Sequence, residues 1–445
     1  MRRHVLLLLT LACDTTAPPE AAELRVLSGN GQVGRIGTTL SSPLVVTVMD
    51  GEGVPLRGVE VRWTSSAGSV APLSSVTDEE GRAETWWTLG VAAGALQATA
   101  SLGHLAPAVF AATAVSPPVS PPPLPFDQMY PISIPTYDGS GQVVHPDYAA
   151  SSTGLLQYPG HLAITPYPFG DPHWENPSVF AGAGALTWLL EDGAPNPILT
   201  SSTGYLSDPD LVYNEDTGEL WLYYRQVAGS NLIYLIRSSD GLHWGSPVEV
   251  AAAPNHEIIS PAVVRRGQRD WWMWAVNGGH AGCEGSSATV EVRHSEDGQH
   301  WSPPSPVELA QPGFFPWHID VQWIPTQNQF WAIYNVKIGG SCATPAVFLA
   351  TSSDGVNWIV QEDPLLARGS IPAFADIVYR STFYYDPASD AILFWYSGAR
   401  YDGSAYIWSA AVERRSRQEV FELTKAVYDL GALQVPAPAE LEEWP

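Results

Sequence analysis

Three copies of one heptapeptide decide the fold of this chain: Ser-Ser-Asp-Gly-Leu-His-Trp at 238–244, Ser-Glu-Asp-Gly-Gln-His-Trp at 295–301 and Ser-Ser-Asp-Gly-Val-Asn-Trp at 352–358. Their tryptophans are 57 residues apart, and a degenerate copy ends at Trp188, 56 residues before the first of them. The Asp-Gly pair supplies the positive φ that a tight hairpin requires, and the tryptophan that follows is suited to pack between layers. A fixed period of this length indicates a repeat architecture.

A pair of strand-like runs lies upstream of each heptapeptide, and a fourth pair, which belongs to a fifth unit, follows the last one. They occupy residues 220–224 and 233–236, 271–276 and 289–292, 330–334 and 347–350, and 391–396 and 406–410. Four strands per unit, repeated radially, predict an all-β, five-bladed β-propeller over residues 127–430. A β-sandwich with fortuitous turns is the alternative. The heptapeptide resembles the Asp-box of sialidases and other propellers, which implies that its aspartate forms the turn and takes no part in chemistry.

A second pattern of short alternating strands occupies residues 24–115 and predicts an antiparallel β-sandwich. This segment resembles the bacterial immunoglobulin-like repeats of the invasin and intimin type. The resemblance is carried by the segments 29–34, 50–55, 77–83 and 87–90. It implies a spacer or adhesion arm, and no constellation of catalytic residue types is evident within it. We therefore expect an immunoglobulin-like stalk followed by the propeller.

The first 13 residues predict an export signal, because Arg2 and Arg3 precede an apolar run that ends before Cys13. The run is too short to span a bilayer. Residues 10–13 resemble a bacterial lipobox, which implies a lipidated Cys13 and a tether over 14–23. We therefore expect a lipoprotein anchored in the outer membrane at the bacterial cell surface. An ordinary secreted protein is the alternative, and a cytosolic protein with an apolar start is a third reading.

Two further segments predict extended or frayed structure. Residues 116–126 are rich in proline, which favours a semi-rigid polyproline II linker between the two domains. Residues 431–445 form an acidic, proline-containing tail.

The charge balance excludes some classes of partner. The chain has 21 Lys and Arg against 46 Asp and Glu, a net charge of −25, and a pI near 4.6. Such a field repels phosphate backbones, so we expect no nucleic-acid partner. The sequence has no phosphate-binding glycine-rich loop, no paired CxxC motifs and no Gly-x-Ser-x-Gly motif. We expect a monomer.

Superposing the repeats aligns ionisable residues on the first strand of each unit. Asp210 and Asp320 each precede a second-strand tryptophan by 11 residues. Residues two apart on a strand share a face, and the innermost strands of a propeller surround its channel. We therefore expect seven residues to crowd one mouth of that channel: His145, Asp147, Asp208, Asp210, His318, Asp320 and Arg380. They indicate either a polar, water-filled channel or an active site that keeps carboxylates in different protonation states.

Polar and aromatic residues are expected around the same mouth. They are Arg225, Asn277, Asn335 and Ser397 at the ends of second strands, Trp174, Trp317 and Tyr401 in loops, and the pair Glu175 and Asn176 beyond the first unit's second strand. Fixed hydrogen-bonding groups and exposed rings in one funnel suit a sugar. The expected partner is an extracellular polysaccharide or oligosaccharide.

A five-unit propeller whose second unit opens with Ser207-Asp208-Pro209-Asp210 resembles the arabinanase, levansucrase and invertase superfamily of glycoside hydrolases. The resemblance implies O-glycosyl bond hydrolysis, with Asp147 as base or nucleophile, Asp208 as the orienting residue and Glu257 as general acid. The pattern departs from that family before Pro146, where His145 replaces an aspartate, and at Ser260, which fills the usual place of the acid. A non-catalytic glycan-binding or adhesion protein is the alternative function.

Neither a metal nor a cofactor is required by these motifs. The resemblance allows a channel cation such as Ca²⁺ at His318, but a single histidine is more often structural. Cys283 and Cys342 lie six and seven residues past the ends of equivalent strands in adjacent units. Their proximity predicts a disulfide in an oxidising compartment.

Overall fold

The computed structural model describes residues 20–40, 42–115, 123–151, 158–182, 184–190, 193–309 and 311–422. They fall into two compact units, with the division between residues 117 and 118. The expected export signal, the lipidation site at Cys13, most of the tether and linker, and the acidic tail lie outside the described residues. Within the described ranges, no helix is both long and apolar enough to cross a membrane.

The first unit consists of two β-sheets around one core. Its strands are β1 Ala21–Ser28, β2 Gln32–Arg35, β3 Leu44–Asp50, β4 Glu60–Ser65, β5 Ser69–Ala71, β6 Ser74–Val76, β7 Arg82–Thr88, β8 Gly94–Ser101 and β9 Ala108–Val115. One sheet has the order β1-β3-β7-β5 and the other β2-β9-β8-β4-β6. Alternate residues point inward, so that Trp63, Trp87 and Phe110 meet in the core. The expected antiparallel pairing is corrected at β2, which pairs with β9 in parallel.

The described part of the second unit is almost entirely β-structure. Its strands are β10 Met129–Ile132, β11 Val143–Ala150, β12 Gly160–Pro166, β13 Ser178–Gly182, β14 Tyr205–Asn214, β15 Glu219–Val227, β16 Ser230–Ser238, β17 Val248–Pro254, β18 Ile259–Gly267, β19 Asp270–Asn277, β20 Thr289–Ser295, β21 Ser305–Val307, β22 Phe315–Ile324, β23 Gln329–Lys337, β24 Ala346–Ser352, β25 Ile359–Val360, β26 Leu366–Ala367, β27 Ile377–Val378, β28 Thr382–Asp386, β29 Ala391–Tyr401 and β30 Tyr406–Ser416. The helical elements are the 3₁₀ turns Pro168–Gly170, Pro172–Trp174, Gly282–Glu284 and Pro372–Phe374, and α1 Arg417–Glu422.

These strands form antiparallel sheets that we number as blades 1 to 5: β11–β13, β14–β17, β18–β21, β22–β26, and β27–β30 with β10. The inner strands β11, β14, β18, β22 and β28 contact one another in cyclic order, so the blades surround a common axis. The first strand of the unit, β10, pairs with the last, β30, and completes blade 5. This radial arrangement is that of a β-propeller.

The Asp-Gly turns of the sequence repeat are held by their own side chains. The carboxylate of Asp240 accepts the backbone N–H groups of Leu242 and His243 at 2.9 and 2.8 Å. The hydroxyl of Ser238 accepts the N–H of Gly241 at 2.8 Å. The same bonds recur around Asp297 and Asp354. These aspartates are therefore occupied in forming turns.

Two of the turns pack against the aromatic second strand of the preceding blade. The Tyr223 hydroxyl of blade 2 donates to the carbonyl of Gly298 at 2.8 Å. The indole N–H of Trp274 in blade 3 donates to the carbonyl of Gly355 at 2.9 Å. The glycines lie directly on these rings, because a Cβ at Gly355 would be 2.6 Å from Trp272. The repeat therefore joins blade to blade as well as turning the chain.

We expect Gly355→Ala to lower the free energy of unfolding by about 2–5 kcal/mol, because a φ of +76° strains any other residue and the new Cβ would overlap Trp272. Gly369→Ala is the matched control, since its φ is +83° but no atom lies within 4 Å of its Cβ position. It should lose only about 1 kcal/mol. Chemical denaturation followed by tryptophan fluorescence measures both; equal losses would contradict the packing argument.

Candidate active site

At one point along its length, each inner strand has one residue more than the neighbouring strand with which it pairs. In blade 2, Ser207 pairs with Arg225 and Asp210 with Tyr223, so three steps on the inner strand match two on its neighbour. The same single extra residue occurs between residues 144 and 147, 259 and 262, 316 and 318, and 378 and 382. Such a β-bulge re-aims the side chains around it and is common next to active sites.

The bulge residue precedes a proline in the first three blades. Its backbone is left-handed, with φ of 54° at His145, 49° at Asp208 and 52° at Ser260. The proline that follows has no N–H group, so the bulge leaves no backbone donor unpaired at that position. A left-handed non-glycine residue costs about 1–3 kcal/mol, which is usually stored at functional positions. The strain therefore lies where these side chains turn toward the channel.

The seven ionisable residues expected at one mouth separate into two levels along the channel. The histidine level consists of His145, Asp208 and His318. The aspartate level consists of Asp147, Asp210 and Asp320, with Arg380 beside them. Within each set of three, the ligand-type atoms all lie within 4.8 Å of one another. Residues two apart on a strand do share a face, but they are about 6.6 Å apart along it, so the expectation of a single shared mouth is wrong.

A different cavity lies at each level. His145 and His318 line a cavity of 110 Å³. The aspartate level and residues further along the same strands, such as Val264 and Trp323, line another of 340 Å³. The two levels therefore have separate surroundings and are described in turn.

Asp208 is the centre of the histidine level. Its Oδ1 lies 3.3 Å from Nε2 of His145 and 3.3 Å from Nδ1 of His318. Its Oδ2 lies 2.8 Å from Nε of Arg225 and accepts the backbone N–H of Ser260 at 3.2 Å. None of the three residues of this level is more than 2% exposed. The carboxylate is thus fixed on one side and faces the two imidazoles on the other.

Several polar atoms of the histidine level have no hydrogen-bond partner. They are Nε2 of His145, Oδ1 of Asp208 and both ring nitrogens of His318. Burial lowers the pKa of both imidazoles and outweighs the attraction of Asp208, so neutral rings are favoured. Burial also opposes ionisation of Asp208, but the charge of Arg225 holds the pKa of that carboxyl well below its usual range. Unused lone pairs therefore converge on one buried point.

A second carboxyl group, that of Glu175, adjoins this level in the cavity wall. It follows the 3₁₀ turn Pro172–Trp174, and its Oε2 lies 3.4 Å from Nδ1 of His145 without a hydrogen bond. Burial, followed by the charge of Asp208, raises the pKa of Glu175 well above its usual range. Two neighbouring carboxyl groups with pKa values pushed apart are typical of acid and base roles.

The structure brings some of the sequence-predicted residues to this cavity and leaves others away from it. Those that line it are His145, Glu175, Arg225, Trp317 and His318. Asn176 instead donates to the hydroxyl of Tyr137 at 2.8 Å, and Asn277 donates to Glu291 at 2.8 Å. The exposed rings of Trp174 and Tyr401 are not among the lining residues.

Two residues of the expected catalytic set lie away from the cavity. Asp147 belongs to the aspartate level, and Glu257 is only partly buried and does not line the cavity. The residue before it, His256, does line it. The roles carried over to Asp147 and Glu257 stay predictions, and their positions lend them no support.

Sequence reasoning missed four lining residues: Tyr167, Tyr205, His256 and Tyr379. The ring of Tyr379 lies 4.5 Å from that of His318 and 5.4 Å from that of His145. It is adjacent in sequence to Arg380, at the point where blade 5 has its extra residue. No shared residue pattern marks these four positions, because the prolines that follow bulges occur in the first three blades only, beside His145, Asp208 and Ser260.

The aspartate level ties each inner strand to the next. Asp147 accepts the backbone N–H of Leu211 at 2.6 Å, and Asp210 accepts that of Val263 at 3.0 Å. Asp320 accepts the hydroxyl of Thr382 at 3.0 Å and the N–H of Phe383 at 3.3 Å. These bonds join blades 1 to 2, 2 to 3 and 4 to 5. The three carboxylates therefore have a structural task.

Arg380 supplies the opposing charge at the aspartate level. Its guanidinium lies 3.1 Å from Asp147 and 3.6 Å from Asp210, and it also donates to the carbonyl of Pro209. Its side chain has no solvent exposure. The ring of blades closes through this contact, because Arg380 belongs to blade 5 and Asp147 to blade 1.

The disulfide joins the loops of blades 3 and 4 beside the cavity. Cys283 and Cys342 are bonded, with their Cα atoms 4.7 Å apart, and both line the cavity. The ammonium group of Lys337 donates to the carbonyls of Cys283 and Gly285. The loop over Gly282–Glu284 is therefore fixed to the neighbouring blade by covalent and polar contacts.

Among known proteins, no protein-family model matches the chain. The chain is 30% identical over 326 residues to the A type blood N-acetyl-alpha-D-galactosamine deacetylase of Flavonifractor plautii, and the match covers 63% of this chain. It covers 41% of that protein, so the chain spans about two fifths of the length of this relative.

The chain also aligns with solved structures. A crystal structure of an N-acetylgalactosamine deacetylase from F. plautii, in complex with blood group B trisaccharide, aligns with a TM-score of 0.61 and 26% identity over 66% of this chain and 96% of that one. The alpha-L-arabinofuranosidase PaAbf62A from Podospora anserina aligns with a TM-score of 0.46 and 14% identity over 64% of this chain and 95% of that one.

The ring of sheets and the alignment with this deacetylase structure define the second unit as a β-propeller. Of these two alignments with the chain, only the one with the N-acetylgalactosamine deacetylase has a TM-score above 0.5. The match to it covers more of the chain than the first unit contains, so it includes much of the propeller.

We expect Arg380→Met to lower the free energy of unfolding by about 3–5 kcal/mol, because it leaves the buried carboxylates of Asp147 and Asp210 without their counter-ion. Arg269→Met is the control, since Arg269 pairs with Glu296 at the surface and both side chains are more than 70% exposed. It should leave the free energy of unfolding almost unchanged, because water screens an exposed ion pair. Denaturant titration of both variants checks this, and similar small losses would refute the counter-ion role.

Proposed function

We propose that the second unit is a metal-dependent carbohydrate deacetylase that hydrolyses the acetamido group of an N-acetylated amino sugar. The observation that carries this proposal is the buried set His145, Asp208 and His318, whose lone pairs converge without partners beside the cavity. The named activity of the 30% identical relative supports the choice of an acetamido sugar. Sequence reasoning expected paired carboxylates and required no cofactor, although it allowed a channel cation at His318. The donor set favours a cation.

The spacing of the donor atoms suits a tetrahedrally bound ion. Two ligands about 2.1 Å from a zinc ion at the tetrahedral angle are about 3.4 Å apart. Asp208 Oδ1 lies 3.3 Å from a nitrogen of each histidine. Two neutral imidazoles and one carboxylate are donors that transition-metal dications accept. Three protein ligands also leave one position open, as catalytic sites require.

Neighbouring residues orient each donor. Nδ1 of His145 lies 3.0 Å from the hydroxyl of Thr165, which leaves Nε2 directed at Asp208. Oδ2 of Asp208 is occupied by Arg225 and by the N–H of Ser260, which leaves Oδ1 free. Outer contacts of this kind fix the ring orientation and strengthen metal binding. The donor set is therefore arranged before any ion binds.

The reaction requires one water and one proton transfer. A cation held by these donors would polarise the acetamido carbonyl and make an adjacent water more acidic. Glu175 is the carboxyl group of the cavity wall that can take a proton from the attacking water and deliver it to the nitrogen. The water oxygen bonds to the carbonyl carbon, the carbon–nitrogen bond breaks, and acetate and the amine leave. Arg225 keeps Asp208 ionised throughout.

Glycoside hydrolysis is the second candidate, because Glu175 in the cavity wall has a raised pKa and the neighbouring Asp208 has a lowered pKa. Both groups, however, contact the same ring: Glu175 lies at Nδ1 of His145 and Asp208 at Nε2. An inverting glycosidase needs a water between its carboxyl groups, and a retaining one needs them about 5 Å apart with the sugar between. Here an imidazole fills that space, which favours deacetylation.

For the whole chain we propose an exported protein whose first unit, an immunoglobulin-like sandwich, presents a five-bladed propeller to an external glycan. The two sheets around one core and the ring of five sheets support these folds. The disulfide between Cys283 and Cys342 supports an oxidising compartment. A monomeric surface lipoprotein anchored through Cys13 remains part of this proposal.

Titration of the metal-free chain with Zn²⁺ or Mn²⁺ should reveal one tight site. His318→Gln and Asp208→Asn should each weaken it by more than about 100-fold, because each removes a donor. Asp320→Asn is the matched control, since it alters the aspartate level only. Calorimetry measures all three. If Asp320→Asn alone abolished binding, the ion would belong to the other level and the proposal would fail.

The activity test uses the cation-loaded chain and an oligosaccharide ending in N-acetyl-α-D-galactosamine. We expect acetate release, with a kcat at least about 100-fold lower in Glu175→Gln and unchanged cation affinity, because the variant removes proton transfer only. Glu257→Gln, outside the cavity wall, should retain activity.

The assay also separates the alternatives. Enzymatic acetate and reducing-sugar assays are run on the same samples. New reducing ends without acetate would support glycoside hydrolysis. Tight oligosaccharide binding without either product would support the non-catalytic adhesion function.

A further inference from the structure

His256 has a combination of features that the proposed chemistry does not use. Its backbone is left-handed, with φ of 64°, although it is neither glycine nor next to a bulge proline. Its ring lines the cavity that also holds Glu175 and the two histidines. Its Nε2 lies 3.3 Å from the amide nitrogen of Asn255, and the backbone of His280 is a hydrogen-bonding neighbour of the ring. A strained residue whose ring lines a cavity indicates a function.

The surrounding loop holds this ring in place. A Cβ at Gly282 would lie 2.8 Å from Nδ1 of His256, so the ring packs directly on the glycine backbone. Gly282 itself has a φ of +55°, which glycine adopts without strain. The carbonyl of His256 accepts the N–H of Gly278 at 2.7 Å, from the same loop. The imidazole therefore has little room to turn away from the cavity.

That loop is in turn fixed to blade 4. The residue after Gly282 is Cys283, bonded to Cys342, and Lys337 donates to its carbonyl at 3.1 Å. The N–H of Gly340 also donates to Gly285 at 3.2 Å. Three separate links therefore fix the loop on which the ring of His256 packs. A ring that served only as packing would not need such support.

We propose that His256 is a substrate-binding residue that hydrogen-bonds a hydroxyl of the sugar ring carrying the reacting group. A neutral imidazole can accept through one nitrogen and donate through the other, which matches a hydroxyl. Burial, with a smaller contribution from Arg225, lowers the pKa of His256 and supports the neutral form. The wall from blades 3 and 4 then selects the sugar, while the histidine level carries out the reaction. This inference rests on the proposed function only for the identity of the reacting group. The role of His256 in binding a sugar does not depend on that reaction.

The test compares His256→Phe, which keeps the ring and removes both nitrogens, with His256→Gln, which keeps a donor and an acceptor. We expect His256→Phe to raise KM about 10-fold for the oligosaccharide ending in N-acetyl-α-D-galactosamine, with kcat changed less than about 3-fold. His256→Gln should restore part of the loss. Cation affinity should be unchanged in both. His300→Phe is the matched control and should match the wild type, because the side chain of His300 is exposed in an Asp-Gly turn.

Gly282→Ala gives an independent variant that leaves His256 itself intact. Its Cβ would displace the ring, so KM should rise as in His256→Phe. The free energy of unfolding of each variant is measured alongside, so that a folding defect is recognised.

Direct binding separates this inference from the proposed reaction. The dissociation constant of the same oligosaccharide is measured by calorimetry in the wild type and in Glu175→Gln, each with and without His256→Phe. Sugar binding that weakens about 10-fold with His256→Phe, without any turnover, supports the role of His256 and overturns the reaction. Turnover with unchanged KM and dissociation constant in His256→Phe overturns the role of His256 alone. No sugar binding by the wild type overturns both.

Discussion

One extra residue in each inner strand is the constraint on which the site depends. A regular inner strand would pair along its whole length and would direct alternate side chains toward the channel at even spacing. The bulges interrupt that ladder close to the histidine level in each blade. At His145 and Asp208 the left-handed backbone turns the side chain inward, and the proline that follows has no N–H to leave unpaired. The histidine level exists because the ladder fails there.

The two levels use similar positions for opposite purposes. At the aspartate level, each carboxylate accepts a backbone N–H or hydroxyl of a neighbouring blade, and Arg380 balances part of the charge. At the histidine level, Arg225 occupies only one oxygen of Asp208, and Nε2 of His145 and the ring nitrogens of His318 have no hydrogen-bond partner. Buried polar atoms left in this state cost free energy unless a ligand satisfies them. The aspartate level therefore stabilises the ring, and the histidine level is available for a ligand.

Much of the fold could be predicted because its signals are local. An Asp-Gly turn and a tryptophan at a fixed period determine the hairpins, and the same turns pack on the preceding blade at Trp272 and Tyr223. The alignment of repeats also found the residues of both levels. It could not separate them, because sequence spacing gives the face of a strand but not the height at which side chains converge. His256 and Tyr379 were missed for a related reason: a left-handed φ or an interrupted strand leaves no residue pattern of its own.

The cavity has a floor of inner strands and a wall of loops. The floor is built from inner strands that are tied to one another, so its donors keep their positions whatever occupies the cavity above. The wall that contains His256 comes from loops, which in a propeller vary most freely. Here those loops are tied by a disulfide and by Lys337 to the adjacent blade. A flexible wall would lose binding energy in ordering itself around a sugar. If the cavity binds a sugar as proposed, fixing the wall removes that loss.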